Sequence, residues 1–304
     1  MVQSSPILCF GTTPTMQRTL VFEKLYLDRV NRAKNVREFA SGKSINAARV
    51  VRSLGEQATA VGFAGGPRGQ MLRQDLQKIG IEDEMVEVAT PTRLCSTLID
   101  ESARTATELV EESAAVSVED WARLDSAMQR VLRLCPIWIF SGSLPPGAPT
   151  DTYAKWGPAA QQLGAKMIVD ARGEALRLAM QHPGVIVKIN REEFQATFEK
   201  TNFPAAMINA APANGAIIVT AGVEGSWLCN ETEIHHLPAP KIKVVNPIGS
   251  GDAYAAGLAV GLLRKMNLVN ACRLGAACAA ANAETMDAGH VDQARVWELF
   301  AEEK

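Results

Sequence analysis

Two glycine-bearing stretches hold the residue types that could do chemistry. The first is residues 246–257, "NPIGSGDAYAAG", which set Gly249 and Gly251 around Ser250 and then place Asp252 at the start of an apolar helix. A glycine turn running into a helix N-terminus presents successive backbone N–H groups and the positive end of the helix dipole to an anion. A carboxylate beside such an anion hole suits phosphoryl transfer, the turn stabilising charge on the moving group while Asp252 accepts the proton of an attacking hydroxyl. An aspartate there can also be an ordinary helix cap. A cap, however, accounts for neither glycine.

The second stretch is residues 39–50, "FASGKSINAARV", whose Gly42-Lys43-Ser44 is the end of a phosphate-cradling P-loop. The full motif needs glycine at position 37, where this chain has Arg37, and small residues where it has Glu38 and Phe39. It is half a motif, so the nucleotide phosphates are better assigned to the turn at 249–251.

Elements that could position these residues follow from hydrophobic pattern. Short apolar runs at 6–10, 58–64, 137–142, 166–170, 185–190 and 216–220 read as buried strands, and "KIKVV" at 241–245 is strand-like. Helices are expected between them. "INAARVVRSLG" is closed by Gly55, and "SVEDWARLDSAMQRVL" opens with the Ser117 and Asp120 signature. Two alanine-rich helices at 251–265 and 268–284 and a polar one at 292–302 end the chain. Alternating strand and helix imply an α/β fold with a mostly parallel central sheet and helices on both faces. Segments at about 12–40 and 91–113 break that rhythm and predict a small β lid, within a single domain spanning 1–304.

Composition narrows the function classes. With 304 residues, 47% hydrophobic, 21% charged and a net charge of −2, the chain lacks the basic footprint of nucleic-acid binding. Six cysteines without a CxxC pair and four histidines without HExxH signal neither a zinc site nor a disulfide framework. His235 and His236 read as strand surface. No apolar run approaches a membrane span, and a cytoplasmic small-molecule enzyme is expected.

The "GSGD" turn opening a helix resembles the signature of the ribokinase-like carbohydrate kinases. Four further stretches, "SGKSINAARVVRSLG", "TPTRLCSTLID", "SGSLPPG" and "VKINREEF", are similar in order and spacing to the branch of sugar-phosphate kinases. That branch includes 1-phosphofructokinase, tagatose-6-phosphate kinase and a minor 6-phosphofructokinase. The resemblance implies a ribokinase-like fold and ATP- and Mg2+-dependent phosphorylation of a ketohexose monophosphate, with Asp252 as general base and Gly249, Ser250 and Gly251 as anion hole. It further implies that Asn190 and Glu193 hold magnesium through water, with Lys188 near the phosphates. The nucleotide is expected along Thr220, Gly222 and Gly225 and near Asn282. Gly42, Lys43 and Asn46 are expected to meet the sugar, and Arg32, Lys43, Arg93 and Ser143 its existing phosphate. Arg93 leads that set because a guanidinium fits a phosphate bidentately.

The chain also departs from the family pattern. Thr13 and Gln17 stand where an "N-P-A-x-D" aspartate binds sugar hydroxyls, so Gln17 is expected to take over that contact without an ionised acceptor. Ser41 and Ser44 replace glycines and could narrow the acceptor pocket, and Pro247 replaces a threonine. A kinase for a free sugar or nucleoside and a non-catalytic sugar-phosphate-binding regulator are the alternatives. A homodimer through the lid is expected; a monovalent cation behind the anion hole is left open.

Overall fold

In the computed structural model, which describes residues 5–198, 202–230 and 233–302, a nine-stranded sheet forms the centre. Across it lie Glu233–Leu237, Ser226–Asn230, Ala216–Thr220, Ile186–Asn190, Lys166–Asp170, Ile137–Ser141, Ile7–Phe10, Ala58–Val61 and Glu82–Asp83. All neighbours pair in parallel except the first two junctions, which are antiparallel.

Why these runs become strands is visible in their burial. Ile7, Leu8, Cys9 and Phe10 are all buried, as expected of a parallel strand covered on both faces. Strand periodicity then divides them. Ile7, Cys9, Ile137, Ile139 and Ile168 enter one core, while Leu8, Phe10, Trp138, Phe140 and Val169 enter the other. The first core is covered by helices Lys43–Ser53, Ser250–Leu263, Leu268–Ala283 and Gln293–Glu302. The second is covered by Val118–Val131, Gly157–Leu163, Gly173–Ala179 and Arg191–Phe198. Helix Val118–Val131 starts with the expected reciprocal cap between Ser117 and Asp120.

The lid is a separate four-stranded sheet in the order Asn35–Ser41, Thr15–Phe22, Arg93–Asp100, Thr105–Val110. It uses the segments that broke the βα rhythm. Two expectations need correction. The run at 58–64 is two strands, Ala58–Val61 and Phe63–Gly65, and the second leaves the main sheet to pair with Val86–Val88. The break falls at Gly62, where a Cβ would lie 2.1 Å from the Gly11 carbonyl oxygen. "KIKVV" is not a strand. The Val245 N–H donates instead to the Ala283 carbonyl at 2.7 Å, tying the segment to the end of a helix rather than to a strand neighbour.

Candidate active site

The parallel strands deliver polar residues to one edge of the sheet. Ile137–Ser141, Lys166–Asp170, Ile186–Asn190 and Ala216–Thr220 each finish on a side chain that can hydrogen-bond. Ligands in open α/β sheets bind outside such carboxyl ends. Above them is a cavity of about 590 Å³, lined by Ser141, Asn190 and Thr220 from the strand ends and by Gly42, Lys43 and Asn46 from the first helix. The lid closes the other side by simple alternation: Thr15 and Gln17, Arg93 and Cys95, Glu108 and Val110 are i, i+2 pairs on three adjacent strands, and all six line the cavity.

Asp252 lies on the cavity floor in the first turn of helix Ser250–Leu263. The first intrahelical bond runs from the Ala253 N–H to the Gly249 carbonyl, so the N–H groups of Gly251 and Asp252 precede the ladder. Gly249 adopts φ +82 and sits where a Cβ would be 2.8 Å from Ala288 Cβ. Gly251 lies close to a different group: a Cβ there would lie 2.6 Å from Lys188 Nζ, so a side chain would push the lysine's tip away from the turn. The turn and the lysine are thus in direct apposition, the arrangement an anion needs.

A buried charge cluster surrounds Asp252. Lys43 Nζ and Lys188 Nζ donate to the two oxygens of Asp170 at 2.9 and 2.8 Å, and Lys43 Nζ lies 3.8 Å from Glu193 Oε1. Burial would raise the Asp170 carboxyl, but Lys188 and Lys43 outweigh it and hold the group at about 2. Asp252 goes the other way. Burial pushes it up to about 6, with Asp170 adding to the rise and Lys43, an Asn46 hydrogen bond and Lys188 opposing it. Lys43 loses by burial yet ends above the ordinary lysine value because Asp170, Asp252 and Glu193 surround it. A carboxylate poised near neutrality beside an anion hole can exchange a proton with a bound hydroxyl.

A second cavity of about 410 Å³ adjoins the first and shares Thr220 and Gly251 with it. Its wall is mostly apolar, with Pro247, Tyr254 and the alanines of helix Leu268–Ala283, and the expected Gly222, Gly225 and Ser250 line it too. An apolar wall of this kind suits a flat, weakly polar group.

A family model described as pfkB family carbohydrate kinase matches residues 5–294. The chain belongs to that family. Tagatose-6-phosphate kinase of Staphylococcus epidermidis is similar to this carbohydrate kinase, with 28% identity over 303 residues covering 97% of each chain. Phosphofructokinase-2 of Escherichia coli, at 23% identity over 98% of this chain and 99% of its own, shares the fold. Its structure with fructose-6-phosphate superposes at a TM-score of 0.87, that with potassium at 0.89 and its inhibited tetramer at 0.86.

Most of the residues singled out in the sequence converge in the kinase's cavities. Gln17, Gly42, Lys43, Asn46, Arg93, Ser143, Lys188, Asn190, Glu193, Thr220, Gly249, Gly251 and Asp252 all line the larger one. Three do otherwise than expected. Arg32 stands exposed on the loop between the first two lid strands and lines neither cavity. Asn282 is fully buried and lines neither; its Nδ2 donates to the Ile248 carbonyl at 2.9 Å and to Ser250 Oγ at 3.2 Å, and its Oδ1 accepts from the Gly289 N–H at 2.7 Å. It braces the glycine turn from behind, while its helix neighbours Ala279, Ala280 and Ala283 line the apolar cavity. Arg93 lines the cavity, but its two Nη atoms donate to the Glu111 and Thr13 carbonyls at 3.0 Å each, so its fork is partly engaged.

Asp170 was not singled out in the sequence. The available signal was an acid at the carboxyl end of a core strand, "KMIVD", where a parallel sheet presents its functional edge.

Proposed function

We propose that this carbohydrate kinase transfers the γ-phosphoryl group of ATP to a free hydroxyl of a ketohexose monophosphate, giving a bisphosphate. Fructose 1-phosphate, tagatose 6-phosphate and fructose 6-phosphate are the candidate acceptors. The observation that carries the reading is the position of Asp252, buried at a helix N-terminus where a polar, lysine-lined cavity meets an apolar one. The S. epidermidis relative supports the acceptor class by its activity. Lys43, Arg93 and Ser143, on the polar side, give that acceptor's phosphate its partners.

In the reaction Asp252 accepts the acceptor hydroxyl's proton as that oxygen bonds to the γ-phosphorus. The bond from phosphorus to the β–γ bridging oxygen breaks, and ADP leaves with the electron pair. The Gly251 and Asp252 N–H groups and Lys188 face the charge that develops on the phosphoryl oxygens.

The residues present suit magnesium held through water. Asn190 and Glu193 cap one another reciprocally, the Asn190 N–H donating to Glu193 Oε2 at 3.2 Å and the Glu193 N–H to Asn190 Oδ1 at 2.7 Å. Glu193 Oε1 takes no part in that cap and lies 3.8 Å from Lys43 Nζ, and among the described residues no cluster of three acidic, histidine or cysteine ligands could cage a metal directly. Magnesium commonly retains waters and binds through one or two carboxylates plus substrate phosphates. When bound, it would neutralise part of the triphosphate charge.

The test is steady-state turnover with ATP, magnesium and sugar phosphate. Asp252→Asn is expected to lower kcat by about 10²–10⁴-fold, the usual contribution of a general base. A wild-type protein that binds sugar phosphate without turnover would instead be a regulator.

A further inference from the structure

Ser41 ends the lid strand Asn35–Ser41 and is 3% exposed, against 4% for Asn46 and 7% for Asp252. Its Oγ donates to Asn46 Oδ1 at 2.8 Å, and Asn46 Nδ2 donates to Asp252 Oδ2 at 2.8 Å. The direction of this chain follows from chemistry. An ionised carboxylate only accepts, so the amide must turn its NH2 toward Asp252, its carbonyl must face Ser41, and the serine hydroxyl must be the donor.

We propose that Ser41 is a positioning residue for Asp252: by fixing the amide of Asn46, it keeps one oxygen of Asp252 held and leaves the other free for the acceptor hydroxyl. The proposal rests on Asp252 being the base. A glycine or alanine at position 41 would leave the Asn46 carbonyl a buried acceptor without this donor. Such a group is costly, and the amide becomes free to rotate or to take a hydroxyl from the acceptor instead. The hydroxyl of Ser41 therefore does more than narrow the pocket. It also ties the lid to the base, since Ser41 pairs with Thr15 in the lid sheet while Asp252 belongs to the main domain.

The other charged groups around Asp252 are Lys43 from the first helix, Asp170 from the end of its strand, Lys188 from within strand Ile186–Asn190, and Glu193 beyond Lys43. All remain in variants at position 41. Because the serine–amide chain favours the ionised carboxylate, its loss should move the acid limb of kcat/KM upward.

The experiment is the pH profile of kcat/KM for wild type, Ser41→Ala, Ser41→Gly, Ser41→Thr and Asp252→Asn. Ser41→Ala and Ser41→Gly should each raise the acid limb by about 0.5 unit, the share expected from one hydrogen bond. Both should lower kcat near pH 6 while KM for ATP stays constant, and Ser41→Thr should restore the limb. If alanine prevents folding, the glycine variant supplies the same readout. Acid limbs that coincide with wild type, with Asp252→Asn inactive, would overturn the role of Ser41 alone. Full turnover in Asp252→Asn would overturn the base assignment and this proposal with it.

Discussion

Asp252 and Asp170 are both buried carboxylates, but their neighbours shift them in opposite directions from the ordinary value of 3.8. Asp170 has two lysines in hydrogen-bond contact, whereas Asp252 has one amide donor and the charge of Asp170 nearby. For Asp170, with a depressed folded value near 2, the stabilising contribution is present above pH 3.8 and is lost as pH falls through 2. For Asp252, raised to about 6, the contribution is present below pH 3.8 and is lost as pH rises through 6. Ionised Asp252 is therefore a cost at neutral pH, on the order of 2–3 kcal/mol for a shift of that size. Asp252→Asn keeps an acceptor for Asn46 and removes the cost. Its urea midpoint should exceed that of wild type at pH 8, and the difference should shrink as pH falls toward 4. A difference independent of pH would contradict the assignment. At this scale the sequence made Asp252 legible because a glycine turn and a helix start coincide on it. Asp170 and the engaged fork of Arg93 were not legible, because the partners of each come from separate elements of the fold, one of them more than seventy residues away in the chain.

The lid shows how an element can be read from a break in pattern. Residues 93–111 were recognisable as two alternating strands about a turn, and 12–40 only as a break in the βα rhythm. Their pairing order, with Arg93–Asp100 beside Thr15–Phe22 rather than at an edge, was not, because register and order depend on contacts remote in sequence. "KIKVV" has strand composition, but among the described residues it joins no sheet and Val245 bonds to the end of a helix instead, which is why local propensity misled there. The lid sheet ends in two edge strands, Asn35–Ser41 and Thr105–Val110; on the first, the Ala40 N–H donates to Asp75 and the Ala40 carbonyl accepts from Arg49, so only part of that edge is exposed. Val36 and Leu109, on those edge strands, are each 53% exposed. Open strand edges with exposed apolar side chains favour pairing with another chain, which supports a homodimer through the lid. Light scattering should give twice the chain mass of 32.7 kDa, and Leu109→Lys should shift the population toward monomer. A wild-type monomer at working concentration would count against it.

For the whole molecule, the α/β architecture and both helix layers were legible from the alternation of buried runs and amphipathic stretches. The way the two cavities meet was not. That junction arises because the glycine turn at 249–251, the carboxyl ends of the central strands and the lid face are brought together from distant parts of the chain. It sets the polar cavity against the lid and the apolar one under the alanine-rich helices, with Asp252 on the polar floor beside Gly251, which lines both. Closing the lid over both would exclude water from the transfer step. The most direct measurement is an acceptor panel with ATP and magnesium, with product position read by NMR. Fructose 1-phosphate, tagatose 6-phosphate or fructose 6-phosphate should be converted to a bisphosphate. Reaction of only unphosphorylated sugars or nucleosides would contradict the account.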